Sequence, residues 1–211
     1  MELFIILGIL TGTYLIALAR RMTSLIRSFR LQSFFLSVSV FLSATHQRHA
    51  ELYLIAVLLF TLKVILIPRF LFRITEKIRV NENIGLFLNS QLSLLCALIF
   101  TYASWMFSLR LVARQEVLQV FALTSAFAVI LAGLFIMIFR MKALTQTIGI
   151  LIMENGIFLL ASALAGGMPF LVEIALCLDI FVSVIILNVF VYRINKMFAH
   201  IDVNKLNTLK G

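Results

Sequence analysis

Four ionisable side chains interrupt long apolar runs of this sequence, and they are its best candidates for chemistry: Lys63, Glu154, Glu173 and Asp179. A charged group away from water is costly unless it is paired or hydrated, so each of these positions needs a physical reason. A carboxyl group in a medium of low dielectric can take up and release protons near neutral pH, and a neighbouring lysine can control that exchange through its charge. The four residues together therefore predict a route for protons.

The positions of these residues suggest their roles. Glu154 and Asp179 each lie near the middle of an apolar run and are the predicted relay acids, with Lys63 as a modulating charge. Glu173 is a further candidate for the relay, although it lies one turn from the end of its run, where water can reach it. An alternative is that the acids form fixed ion pairs with neighbouring helices, or that a bend at Pro68 lets Lys63 reach the membrane surface.

The composition shows what the apolar runs are. Hydrophobic residues make up 63% of the 211 residues and charged residues only 13%, and the mean hydropathy is +1.11. A soluble domain could not bury so much apolar surface, and a disordered chain would be more polar. The net charge of +9 does not indicate a nucleic-acid partner, because the basic residues lie between the apolar runs, where they are typical of topology signals and contacts with lipid headgroups.

The sequence therefore predicts an all-α, polytopic membrane protein in a single integral domain spanning residues 1–211. A span needs about 20 apolar residues, so a chain of this length has room for about six to eight spans. Seven can be identified by their apolar character: Leu3–Ala19, Leu31–Thr45, Leu52–Phe72, Ile84–Phe107, Val117–Phe139, Ile148–Ala165 and Phe170–Tyr192. The second is the shortest and is rich in serine.

The distribution of basic residues predicts the orientation. Four Lys or Arg residues lie in 20–30, four in 69–83, two in 140–147 and four after residue 192, all on one side of the seven predicted spans. The opposite side has only Arg48, Arg110 and Arg114. By the positive-inside rule the N-terminus is outside and the C-terminus is cytoplasmic, in the cytoplasmic (inner) membrane.

The sequence lacks the motifs of several classes of enzyme and cofactor-binding protein. It has no P-loop, no glycine-rich dinucleotide fingerprint and no HExxH pattern. Its three histidines (His46, His49 and His200) lie outside the predicted spans, and Cys96 and Cys177 are isolated within apolar runs. We therefore expect no metal, no cofactor and no catalysis by this chain alone.

Several segments resemble a known family. They are Met-Glu-Asn-Gly (153–156), Leu-Val-Glu-Ile (171–174), Asp179, the tail 201–211, and the lysine and proline of 63–68. Together they resemble hydrogenase-4 component E, a membrane subunit of group 4 [NiFe]-hydrogenases of the formate hydrogenlyase type. The resemblance covers nearly the whole chain and is strongest from about residue 140 onward.

The resemblance implies a division of the chain and a set of partners. Residues 1–116 would form four helices, and 117–211 would form three helices similar to the small three-helix subunit of complex I, followed by a short cytoplasmic tail. Asp179 occupies the position of that subunit's second carboxylate, whereas Glu154 is displaced by about one turn from the first, where this sequence has Leu151. Antiporter-like membrane subunits and a hydrogenase module would be the partners, and no nickel or iron–sulfur cluster would be bound by this chain.

Three other hypotheses remain open. The chain could be a purely structural subunit of such a complex, or it could belong to a cation/proton antiporter or a related complex without the metal site. It could also be a small transporter that acts alone. The absence of a two-fold internal repeat and of a pair of Gly- or Pro-broken spans argues against that last hypothesis.

Overall fold

A computed structural model of the protein describes residues 2–47, 50–77, 89–112 and 117–164. These residues are almost entirely helical, which confirms the all-α prediction for this part of the chain. The helices are α1 (Glu2–Leu18), α2 (Met22–Gln47), α3 (Ala50–Leu59), a π-helical segment (Phe60–Leu66), α4 (Ile67–Lys77), α5 (Ser90–Leu111), α6 (Val117–Phe139) and α7 (Ala143–Leu164).

Five of the described helical segments are long and apolar enough to cross a membrane. They are Met22–Thr45, Tyr53–Glu76, Ser90–Leu111, Val117–Phe139 and Ala143–Leu164. Helix α1 is a shorter apolar helix of 17 residues, about 26 Å long at 1.5 Å per residue. The protein is therefore a multi-pass membrane protein. The seventh predicted span, Phe170–Tyr192, lies outside the described residues, so the total of seven and the orientation stay predictions.

Helix α2 differs most from the sequence prediction, because it begins nine residues before Leu31. The predicted span began after Arg27 and Arg30, but the first turns of α2 are also helical, with one buried and one exposed face. Met22, Ile26 and Phe29 are buried in the bundle, whereas Arg27 and Arg30 are exposed on the opposite face. Buried apolar residues at helical spacing thus extend the helix through a charged segment.

Helix α7 also begins earlier than predicted, at Ala143 rather than Ile148. The polar residues before Ile148 support the first turn. The Thr145 hydroxyl donates to the carbonyl of Lys142 at 2.6 Å, and the Gln146 side-chain amide donates to the carbonyl of Arg140 at 3.0 Å. Helix α6 has the bounds that the sequence predicted, Val117–Phe139.

The third predicted span is a continuous helix with an irregular centre. Its π-helical segment lies between α3 and α4, and the backbone N–H of Ile67 donates to the carbonyl of Leu62, five residues earlier. Lys63 lies in this segment and is buried. π-Helical turns of this kind often occur at functional sites. Apolar periodicity does not distinguish a π turn from an α turn, so this π-helical segment could not be predicted from the sequence.

The helices form a bundle in which α1, α2, α7 and α6 contact one another in a closed ring. Helix α5 packs against α1 and α6, while α3, the π-helical segment and α4 pack against α2. Polar contacts tie α5 to the start of the chain: Tyr14 donates to Thr101 at 3.0 Å, and Arg20 donates to Ser90 at 2.9 Å. Helix α2 thus stands between the lysine-bearing helix and the rest of the bundle.

Helices α6 and α7 approach each other through glycines. A β-carbon placed on Gly133 would lie 2.6 Å from the backbone nitrogen of Met153, and one on Gly149 would lie 2.9 Å from the carbonyl oxygen of Gly133. A β-carbon on Gly156 would lie 2.8 Å from the backbone nitrogen of Ile130. Small residues allow this close backbone contact between membrane helices. The contact fixes α7, which carries Glu154 and Asn155, rigidly against α6.

We predict that Gly133→Ala destabilises the protein by about 1–3 kcal/mol, because the new methyl group would meet the backbone of α7 rather than a side chain that can rotate away. Gly8→Ala is the matched control, since its β-carbon would meet the ring of Phe35 at 2.7 Å. Thermal unfolding of both variants in detergent measures the difference. An equal loss of stability in the two variants would contradict the proposed role of the α6–α7 contact.

Candidate functional site

Lys63 and Glu154 meet in the interior of the bundle. The Lys63 Nζ atom lies 3.6 Å from Oε2 of Glu154, and both side chains are almost completely buried, with 1% and 2% of their surface exposed. Lys63 lies near the middle of the span Tyr53–Glu76, and Glu154 lies near the middle of α7. Two of the four charges predicted from the sequence thus form an ion pair in the membrane interior.

Asn155 completes the environment of the lysine. Its Oδ1 atom accepts a hydrogen bond of 2.8 Å from Lys63 Nζ. The ammonium group of Lys63 therefore has a carboxylate and an amide oxygen as neighbours, and both belong to consecutive residues of α7. Hydrogen bonds to charged groups are shorter and stronger than those between neutral groups, and this one is at the short end of the range.

The amide of Asn155 connects the ion pair to α2. Its Nδ2 atom donates to Oε1 of Gln32 at 3.2 Å and to the hydroxyl of Ser33 at 3.1 Å. Gln32 is fully buried, and Ser33 and Asn155 each have 2% of their surface exposed. The amide of Asn155 thus has partners for both its oxygen and its nitrogen.

A further step leads to α1. Gln32 Nε2 donates to the hydroxyl of Thr13 at 2.8 Å, and that hydroxyl donates to the carbonyl of Ile9 at 2.9 Å. Side chains from α1, α2, the π-helical segment and α7 therefore form one continuous polar network. We call the set Thr13, Gln32, Ser33, Lys63, Glu154 and Asn155 the buried polar network.

Two structural features bring the ion pair together. The glycine-mediated contact with α6 holds α7 in place. The π-helical segment packs against α2, and from there the long side chain of Lys63 reaches α7. Since Lys63 and Asn155 are 92 residues apart in sequence, the ion pair depends on this tertiary packing and cannot be derived from local spacing.

The two buried charges compensate each other. Removing an ammonium or a carboxylate from water costs several kcal/mol, and their attraction offsets that cost when the remaining hydrogen-bonding groups also find partners. The network supplies such groups for the lysine through Asn155. An ion pair at this depth is compatible with a role in ion transfer as well as with a structural role.

The other two predicted relay residues, Glu173 and Asp179, lie outside the described residues, and their roles stay predictions. Within the ranges that the structure describes, no group of three or more His, Cys, Asp or Glu side chains is arranged to hold a metal ion.

A second buried cation, Arg140, lies just after α6 and was expected from the sequence to act as a topology signal. It has 1% of its surface exposed, and its Nη2 atom donates to the carbonyl of Ala17 in the last turn of α1 at 3.4 Å. Burial lowers the pKa of the Arg140 guanidinium to about 10, so the group stays protonated at neutral pH. Arg140 thus joins the ends of α1 and α6, in addition to any role in orientation.

Three residues of the buried polar network were not predicted from the sequence: Thr13, Gln32 and Ser33. Isolated polar side chains in apolar helices are common, and most bond to their own backbone or to a neighbouring helix. Of the three, Gln32 was the best candidate for a site residue, because a glutamine within an apolar helix needs partners for both its oxygen and its nitrogen.

Comparison with known proteins gives a relative of unassigned function. The chain is 26% identical over 204 residues to the uncharacterized protein Rv0085 of Mycobacterium tuberculosis, and the match covers 96% of this chain and 93% of the relative. No family model and no solved structure matches the chain. The match therefore spans the two proteins almost from end to end.

We predict that the ion pair is energetically coupled. Lys63→Met and Glu154→Gln should each destabilise the protein by about 3–5 kcal/mol, because each leaves the partner charge buried without its counterpart. The double variant should lose less than the sum of the two single losses. Chemical or thermal unfolding in detergent provides the measurement.

Arg30→Met is a suitable control, since Arg30 is an exposed basic residue of α2 and its loss should change stability by no more than about 0.5 kcal/mol. Strict additivity of the losses from Lys63→Met and Glu154→Gln would show that the two side chains do not interact.

Proposed function

We propose that this protein is a non-catalytic membrane subunit of an energy-converting, hydrogenase-like complex related to complex I. In that complex it contributes to the transfer of protons or other ions that is coupled to redox chemistry. The observation that carries the proposal is the buried Lys63–Glu154 pair near the middle of two membrane-spanning helices. The resemblance of the sequence to hydrogenase-4 component E supplies the type of complex.

The depth of the pair favours a role in ion transfer. Ionisable residues in membrane helices are rare, and those that occur usually belong to pathways for substrates, ions or protons. An ion pair needed only for stability could be replaced by apolar side chains of similar volume, often without loss of stability. The presence of both charges at this depth therefore supports a role beyond packing.

The proposed chemistry is an exchange of protons at Glu154 that is controlled by Lys63. While the ammonium lies beside the carboxylate, the charged form of Glu154 is favoured, and movement of the ammonium away favours uptake of a proton. Charge changes in neighbouring antiporter-like subunits would drive that movement. Asp179 and Glu173 are the proposed continuation of the route, and the proposed mechanism assigns no metal or cofactor to this chain.

The protein would lie in the cytoplasmic (inner) membrane, with the N-terminus outside and the C-terminus in the cytoplasm. The basic residues of the α1–α2 and α6–α7 turns, Arg20, Arg21, Arg140 and Lys142, are on the predicted cytoplasmic side. A hydrogenase module would bind on that side, and antiporter-like subunits would bind laterally.

A structural role in the same complex is the second candidate, and the hydrogen bond from Lys63 to Asn155 favours it. This bond, together with those from Asn155 to α2, would be sufficient to make the pair a fixed connection between helices. The two candidates differ in what they predict when one charge is neutralised without a change in shape.

We predict that Glu154→Gln reduces coupled ion transfer at least tenfold, because an amide cannot exchange protons as a carboxyl group does. The measurement uses vesicles that contain the complex purified through a tag on this chain. Glu76→Gln is the matched control, because Glu76 is exposed near the end of α4 and its replacement should leave transfer unchanged.

Transfer per intact complex separates the two candidates, because Glu154→Gln is also expected to lower stability. The relay role predicts impaired transfer by the intact complex, whereas the structural role predicts a lower yield and normal transfer by the complex that does assemble. An intact complex with normal transfer would contradict the relay role of Glu154.

A further inference from the structure

The hydrogen bonds that connect Lys63 to α1 run in one direction. Lys63 donates to Asn155, Asn155 donates to Gln32, Gln32 donates to Thr13, and Thr13 donates to the carbonyl of Ile9. No step in this chain runs the other way. The ends of the chain of hydrogen bonds must set this order, because each amide side chain could also be rotated to exchange its oxygen and nitrogen.

Both ends of the chain enforce the same direction. The carbonyl of Ile9 can only accept, so the hydroxyl of Thr13 must donate to it and offers its lone pairs to Gln32. Gln32 then uses its amide nitrogen towards Thr13 and presents its oxygen to Asn155. At the other end, an ammonium group can only donate, so Lys63 requires an oxygen from Asn155.

We propose that Thr13 and Gln32 are positioning residues, which hold the oxygen of Asn155 towards Lys63 and thereby keep the ammonium beside Glu154. Thr13 acts through the amide of Gln32, and Gln32 acts through the amide of Asn155. If the chain were reversed, the amide nitrogen of Asn155 would face the ammonium, and two donors would oppose each other. The inference deepens the proposed function, on which its consequence for ion transfer rests.

Ser33 supports the same orientation from the other side of Asn155. Its hydroxyl accepts from Asn155 Nδ2 at 3.1 Å, close to the Gln32 oxygen that accepts from the same nitrogen. The two hydrogens of the Asn155 amide therefore both have acceptors on α2, while its oxygen is left for Lys63. The orientation of Asn155 is thus determined by α2 as well as by the lysine.

Solid-state NMR of the full chain in lipid vesicles tests the proposal directly. With lysine labelled at Nζ with nitrogen-15 and asparagine labelled at Cγ with carbon-13, dipolar dephasing reports the contact between Lys63 and Asn155. The Lys63→Met variant identifies the part of the signal that belongs to this pair. We expect this part to be present in the wild type and clearly weakened in Thr13→Val, which removes the hydroxyl but keeps the shape of the side chain, whereas Ser33 still accepts from Asn155.

Thr13→Ser is the matched control, because it keeps the hydroxyl and should retain the contact. A merely structural role of Thr13 in packing α1 against α2 would leave the Lys63–Asn155 contact unchanged in Thr13→Val, and that result would overturn the proposal. If Thr13→Val does not fold, Gln32→Met breaks the next link, and the same weakening of the contact is expected. An unchanged contact in a folded Gln32→Met variant would equally overturn the proposal.

Ion transfer by the assembled complex separates this inference from the proposed function. Weakening of the NMR contact in Thr13→Val together with reduced transfer would support both. Weakening of the contact with normal transfer would support the positioning role and remove the Lys63–Asn155 contact from the transfer mechanism.

Discussion

The burial of one positive and one negative charge in the membrane interior is the constraint on which the rest of this structure depends. Lys63 and Glu154 are tolerated there because they compensate each other and because the lysine also has an amide oxygen as an acceptor. To bring these groups together the chain must align helices from both halves of its sequence. The ring of α1, α2, α7 and α6 is the packing that achieves this alignment.

The two sides of the ion pair are held in different ways. Glu154 and Asn155 belong to a helix whose backbone is in close contact with α6 at Gly133 and Gly149, so this side is rigid. Lys63 belongs to a π-helical segment, in which the regular hydrogen bonding of an α-helix is interrupted. The long side chain of Lys63 therefore extends from the irregular π-helical segment to α7, which is packed closely against α6.

Residue types predicted much of this architecture, but tertiary packing decided the site. The spans and the candidate charges Lys63 and Glu154 could be identified because apolar runs and buried charges are strong signals, and α6 was predicted to its exact ends. The predicted start of the second span at Leu31 was wrong, because the turns that carry Arg27 and Arg30 are helical and bury their opposite face. The pairing of Lys63 with α7, and the participation of Thr13 and Gln32, follow from contacts between distant segments that no local pattern encodes.

The central claim is that this chain works within a larger complex, and the most direct test is to isolate it with its partners. The tagged chain would be purified from native membranes in a mild detergent, and the bound proteins identified by mass spectrometry. The account predicts antiporter-like membrane subunits together with the large subunit of a nickel-containing hydrogenase. Antiporter-like subunits without that metalloprotein would favour the related complex that lacks the metal site. A stable, folded chain that is recovered alone would contradict the account.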